Sequence, residues 1–216
     1  MKRILIALSV AVFYIAASAE TIIDTFDANS FGWTESAFES NNGSAIIDRG
    51  VLTVKSKGEN KAMSALMTAL SGVETKVGQN TFFETHCYAP INPSEDFKIT
   101  ANVKIEKLGK DRIVGLVFNY RDNGNFYCFT FNDEMVSFTR YVDGGIVGSI
   151  TTGMRWEKDS KARQQWILEK TGDELAFYVD GLEVHRVRYM PLEYAGVGFY
   201  TFGKQTLIVG DITFEQ

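Results

Sequence analysis

Between Val117 and Gly145 the chain reads VFNYRDNGNFYCFTFNDEMVSFTRYVDGG, with apolar and polar residues alternating between two turn-forming clusters. A period of two is the mark of β-strands, whose side chains point alternately to opposite faces. Asn123-Gly124 suits a two-residue type I′ turn, in which both central residues need positive φ. That turn sets Asp122 against Asn125, Tyr120 against Tyr127, Phe118 against Phe129 and Leu116 against Phe131. A second turn at Asp133-Glu134 sets Phe131 against Val136, Phe129 against Phe138 and Tyr127 against Arg140. One face of the meander is then almost wholly aromatic and aliphatic, as a core face should be. The other mixes Asn119, Arg121, Phe126, Cys128, Thr130, Ser137, Thr139 and Tyr141.

The same alternation runs through the rest of the chain. TIIDTFD (21–27), AIIDRGVLTVKS (45–56, broken at Arg49-Gly50) and DFKITANVKIEKLG (96–109) read as strands. ELAFYVDGLEVHRVRY (174–189) reads as a hairpin about Asp180-Gly181, and AGVGFYTFG and TLIVGDITFEQ follow it. Only residues 62–72 carry helical spacing, through Met63, Leu66, Met67 and Leu70. Many short strands at regular spacing predict an all-β fold, a two-sheet antiparallel sandwich.

The first twenty residues depart from this pattern. Lys2 and Arg3 precede an apolar run from Ile4 to Ala17, and Ala17-Ser18-Ala19 offers a cleavage site. This reads as a signal peptide over residues 1–19, followed by one β-sandwich domain over 20–216. The expectation is an exported protein, periplasmic or secreted, with no transmembrane segment after cleavage. Net charge is −5, and it becomes −7 once Lys2 and Arg3 are removed. With no basic run, nucleic acid is not expected as a partner. Export permits a disulfide between the two cysteines, Cys87 and Cys128, and two buried thiols are the alternative.

From Ile22 onward the chain resembles the concanavalin A-like lectin/glucanase superfamily, nearest to its laminin-G-like and sugar-hydrolase-associated bacterial jelly rolls. The resemblance rests on Asp24 to Phe26 followed by Gly32-Trp33, then GVLTVKS (50–56), DFKITANVKI (96–105) and GLVFNYRDNGNFYCF (115–129). Tyr-Val-Asp-Gly (141–144), Trp166 to Lys170, LAFYVDGLEV (175–184) and a closing GDITF (210–214) complete it. It implies two curved antiparallel sheets, adjacent first and last strands, and a concave face that often binds carbohydrate.

The glycosidases of that superfamily carry paired carboxylates on one strand, as E-x-D-x-x-E or E-x-D-x-E, and neither pattern occurs in this chain. Glu157-Lys158-Asp159 is the nearest approach and lies in a charged connection. The reading therefore leans away from an enzyme, toward a non-catalytic carbohydrate-recognition domain whose ligand is a polysaccharide or glycan. Its binding residues would be Asn119, Arg121, Phe126, Thr139 and Tyr141. One alternative is a glycoside or modified-sugar hydrolase with an atypical site, for which Asp122, Glu84 and Glu183 are the candidate acids. Another is a structural or protein-interaction domain of the cell envelope, favoured if residues 79–92 form a loop across the mixed face. His86 falls in that loop, and His185 falls on a strand with Tyr178 and Glu183. No cofactor is expected except calcium, for which Asp24, Asp27 and Asp211 would converge if the terminal strands pair. Trp33 and Trp166 are expected in the core, and Trp156 is the tryptophan expected to be exposed.

Overall fold

The computed structural model describes residues 20–35, 43–58, 82–106, 108–109, 112–153 and 163–216. The proposed signal peptide, residues 62–72, Trp156 and Glu157-Lys158-Asp159 lie outside the described residues.

Two antiparallel sheets pack face to face. The eight-stranded sheet contains β1 (Thr21–Asp24), β2 (Gly43–Asp48), β3 (Val51–Ser56), β5 (Phe97–Ile105), β10 (Arg163–Thr171), β11 (Glu174–Val179), β12 (Leu182–Arg188) and β14 (Gln205–Glu215). The six-stranded sheet contains β4 (Phe82–Tyr88), β6 (Ile113–Asp122), β7 (Asn125–Phe131), β8 (Met135–Val142), β9 (Gly145–Gly153) and β13 (Gly196–Phe202). The first runs in the order β12-β11-β10-β5-β14-β3-β2, with β1 also paired to β14; the second runs β4-β13-β6-β7-β8-β9. The first and last strands are thus neighbours, with Asp24 opposite Ile212.

Alternation decides which side chains meet between the sheets. On β5, Phe97, Ile99, Ala101, Val103 and Ile105 are buried, while Asn102 and Lys104 are exposed. Phe129 of β7 stacks on Phe177 of β11 at 5.1 Å between ring centres and 7° between planes. Trp166 meets Phe131 edge-on at 5.1 Å, and both Trp33 and Trp166 are buried, as the sequence predicts. Removing one such large aromatic side chain from water contributes about 1.5–3 kcal/mol.

The predicted register holds at Phe131–Val136, Phe129–Phe138 and Tyr127–Arg140. It fails across the first hairpin. Asp122 does face Asn125, but Phe118 faces Tyr127, Leu116 faces Phe129 and Val114 faces Phe131. The three residues Asn119, Tyr120 and Arg121 oppose the single residue Phe126, with Asn119 at φ 50°. A slip of two residues keeps Phe118, Leu116 and Val114 in the core, but Tyr120, expected on that core face, lies within the bulge and turns to the outer cluster. The turn also differs from expectation, because positive φ occurs at neither Asn123 nor Gly124. Asp122 Oδ1 instead accepts the Gly124 N–H at 2.9 Å. The paired positive-φ turns are Arg49-Gly50, Asp143-Gly144 and Asp180-Gly181.

Of the segment 79–92, the described residues 82–92 do not form a loop lying across the outer face. Residues 82–88 are β4, an edge strand hydrogen-bonded to β13. His86 therefore sits on a strand. No helix among the described residues is long and apolar enough to cross a membrane.

Candidate functional site

The outer face of the six-stranded sheet, away from the core, has two regions. Val117, Tyr120, Phe126 and Cys128 form a second apolar cluster, with Tyr141 and Tyr200 packed against it. Val117 is 1% exposed and Phe126 is 3% exposed, so the middle of this face is closed to solvent. Phe126 and Tyr141 stack at 4.5 Å between ring centres. His86 stacks on Tyr120 at 3.8 Å.

Beside this cluster runs a polar row. Strand pairing places Glu84 (β4) next to Tyr200 (β13), then Gly115 (β6), Thr130 (β7), Ser137 (β8) and Thr151 (β9). Six strands at about 4.8 Å spacing make it roughly 24 Å long. Glu84, Tyr200, Thr130 and Ser137 are half-buried and Thr151 is exposed. The Ser137 and Thr151 hydroxyls share a hydrogen bond of 2.8 Å, which leaves each with further bonding capacity. Gly115 keeps the row flat, since a Cβ there would lie 2.3 Å from the Phe129 carbonyl oxygen.

Glu84 ends the row. Neither of its carboxyl oxygens, both buried, has a hydrogen-bond partner. The neighbouring Tyr120 hydroxyl favours the ionised carboxyl, but its own short bond, 2.6 Å, is to Asn123 Oδ1. Burial prevails and raises the Glu84 pKa to about 7. Burial pushes the Tyr200 and Tyr141 hydroxyls up, and the Glu84 charge adds to both shifts.

The five sequence-predicted ligand residues are only partly brought together. Phe126 and Tyr141 stack, and Thr139 lies beside them on the same face, buried, with its hydroxyl 3.2 Å from Ser149 Oγ. Asn119 is turned to another use: its Oδ1 accepts the backbone N–H groups of Glu193 at 3.0 Å and Tyr194 at 2.9 Å. Arg121 lies at the hairpin end, 2.7 Å from Asp122 and 3.8 Å from Asp143, over the Tyr194 ring.

The three candidate acids occupy separate places. Asp122 is held down at about 2 by hydrogen bonds from Asn125 and Arg121 and from the Gly124 backbone. Glu183 lies on β12 of the other sheet and pairs with Arg186. Only Glu84 faces the row. His185, also on β12, meets the edge of the Phe129 ring, and burial lowers its pKa.

Two further expectations are corrected. Cys87 and Cys128 are free thiols. Cys87 belongs to the core cluster and Cys128 to the outer one, so the sheet itself separates them. Asp24, Asp27 and Asp211 do not converge, and no group of three metal-ligating side chains occurs among the described residues. Asp24 accepts Trp33 Nε1–H and the Phe26 N–H, Asp27 accepts the Thr25 hydroxyl, and Asp211 accepts the Asn102 amide.

Tyr200 escaped the sequence reading because β13 follows its partner β6 by more than seventy residues, and no local pattern signals that pairing. Thr130 and Ser137 are legible as outward-facing residues, but the strand that carries Thr151 is not among those read from the sequence, and only the assembled sheet aligns all three with Glu84.

No protein-family model matches this chain, and no curated protein matches it. Among solved structures, a β-glucanase of Bacillus licheniformis is similar at 10% identity and TM-score 0.58, covering 90% of this chain and 97% of that one. The catalytic domain of an endo-1,3-β-glucanase (laminarinase) from Thermotoga petrophila RKU-1 aligns at 12% identity and TM-score 0.57, over 92% and 98%. An endo-β-1,3-glucanase from Pyrococcus furiosus aligns at 14% identity and TM-score 0.56, over 90% and 93%. At such identities the likeness is one of architecture: the chain folds as a concanavalin A-like jelly roll.

Proposed function

We propose that this protein is an exported carbohydrate-recognition domain that seats a glycan chain along the row from Glu84 to Thr151. The observation that carries this reading is the row itself. A carboxyl, a phenol and three aliphatic hydroxyls cross the full width of one sheet beside a closed aromatic floor. A sugar chain offers hydroxyls that can both donate and accept along such a line. Tyr141 and Phe126, with Thr139, form the floor, and Arg121 stands at its end. The glucanase structures share the fold, but a fold by itself assigns no ligand.

The acids support binding over hydrolysis. Retaining hydrolysis needs two carboxyl groups about 5–5.5 Å apart. Along β7 the outer positions are Phe126, Cys128 and Thr130, and along β8 they are Tyr141, Thr139 and Ser137. Among the described residues, Glu84 is the one strand carboxyl on this face. The test is a glycan array followed by calorimetry on the hit, using the mature protein and Glu84→Ala. Binding of a polysaccharide that weakens at least tenfold in the variant is expected. An array with no polysaccharide bound at millimolar site concentration overturns the reading.

One observation favours the second reading, an atypical sugar hydrolase. A carboxyl with a pKa near 7 is suited to protonate a leaving group. Incubation with an oligosaccharide panel should then release new reducing ends, and Glu84→Gln should abolish that release.

A further inference from the structure

Acidic side chains of the described surface find cations within the chain. Asp96 pairs with Lys170, Glu215 with Lys98, and Glu174 and Glu183 with Arg186. Asp24, a buried carboxylate, accepts N–H donors from Trp33 and Phe26. Glu84 has neither kind of partner: both of its oxygens are buried and without a hydrogen bond. A buried carboxyl left in this state is costly, and a ligand that supplied the missing donors would relieve it.

The groups facing Glu84 say what that ligand carries. They are Tyr200 of β13, Tyr120 of β6, Cys128 of β7 and Tyr141 of β8, each of which feels its charge, with His86 two residues along β4. Burial disfavours a charge on His86. Arg121, at the hairpin end, pairs with Asp122 and Asp143. No lysine or arginine among the described residues therefore answers Glu84. Aromatic faces attract cations, and three phenol rings surround this carboxyl. Farther along the row, Thr130, Ser137 and Thr151 offer hydroxyls and no charge.

We propose that the glycan seated on the row contains glucosamine with a free amine, whose ammonium group docks on Glu84 while neutral hydroxyls meet Thr130, Ser137 and Thr151. The inference deepens the glycan reading above and rests on it. A neutral sugar brings Glu84 a hydroxyl but no charge, and an N-acetylated one brings a single amide N–H. An ammonium brings three donors and the compensating charge together. Glu84 is half-buried on an edge strand, so rotation about its side-chain bonds presents the carboxyl to an arriving amine.

Oligomers of glucosamine, N-acetylglucosamine and glucose with the same linkage differ only in an amine, an acetamide or a hydroxyl at one carbon. In calorimetry at about pH 6 the glucosamine oligomer should bind at least tenfold tighter than the other two. Glu84, with its pKa raised to about 7, is protonated in the free protein at that pH. Docking should therefore release about one proton, read from the dependence of the heat on the buffer. Glu84→Gln should abolish both the preference and the proton release. Equal affinities, a preference for a neutral oligomer, or no binding of the glucosamine oligomer overturns the inference, and the glycan reading falls with it only if the glycan array is also blank. A preference that survives Glu84→Gln overturns the role of Glu84. A lysine tetrapeptide that binds as tightly, and loses its affinity in Glu84→Gln, overturns the recognition of a sugar.

Discussion

The indole N–H of Trp33 donates to Asp24 Oδ2 at 2.8 Å, and both residues are buried. The other oxygen of Asp24 accepts the Phe26 N–H at 3.0 Å, where the chain turns through φ 56°. One carboxylate thus fixes the bend that leads β1 into the core aromatics. Asp24→Ala leaves a buried indole donor unsatisfied and should destabilise the fold by about 2–3 kcal/mol in urea titrations. A loss under 0.5 kcal/mol would show that the pair is incidental.

Asn119 combines a left-handed backbone with a hydrogen-bonding role. Asn119→Gly should keep the bulge and lose only the anchor to Glu193 and Tyr194. Asn119→Ala loses both and should be the less stable of the two by about 1 kcal/mol. In both variants, hydrogen exchange should accelerate at the Glu193 and Tyr194 amides.

The raised pKa of Glu84 has a definite sign. Below about pH 4.5 the carboxyl is protonated in both states. Between 4.5 and about 7 the unfolded chain releases that proton and the native chain retains it. Stability therefore falls as pH rises through this window, by about 3 kcal/mol in total, and levels off above it. Glu84→Gln removes the slope. The two proteins should have matching urea midpoints near pH 4.5, with the variant increasingly the more stable toward pH 8. Parallel profiles would mean that Glu84 ionises at its ordinary pKa.

Burial raises the pKa of both thiols. A thiol reagent at pH 8 should label neither cysteine in the native protein, and both in urea. Mass spectrometry of the non-reduced protein should give two free thiols. Rapid labelling of one site would reveal local opening of the sheet that holds it.

The sequence carried the two-residue period strongly, because burial between sheets imposes it wherever a strand has a core side. DFKITANVKI is legible for that reason. The bulge at Asn119 was not, since asparagine is common in turns and nothing local distinguishes a bulge from a hairpin end. Asn123-Gly124 resembled a type I′ turn, yet the Asx bond from Asp122 and the bulge accommodate the hairpin twist another way. Upstream of the bulge the face assignment survived this error because the slip was even, whereas Tyr120, inside the bulge, crossed from the expected core face to the outer one. Site residues fared less well: a face predicted to be open is packed at Phe126, and its polar row lies four residues farther along β7, at Thr130.

Cys87 and Cys128 have a bearing on how the chain reaches its fold. Their strands are three spacings apart, roughly 14 Å, and their side chains point away from each other. No disulfide spans such a gap, so a chain that oxidises these thiols to one another has committed to a wrong structure. In an oxidising compartment, folding becomes a race. The sheet must close between the two sulfurs before an oxidant joins them, and once closed it acts as the partition that keeps them reduced.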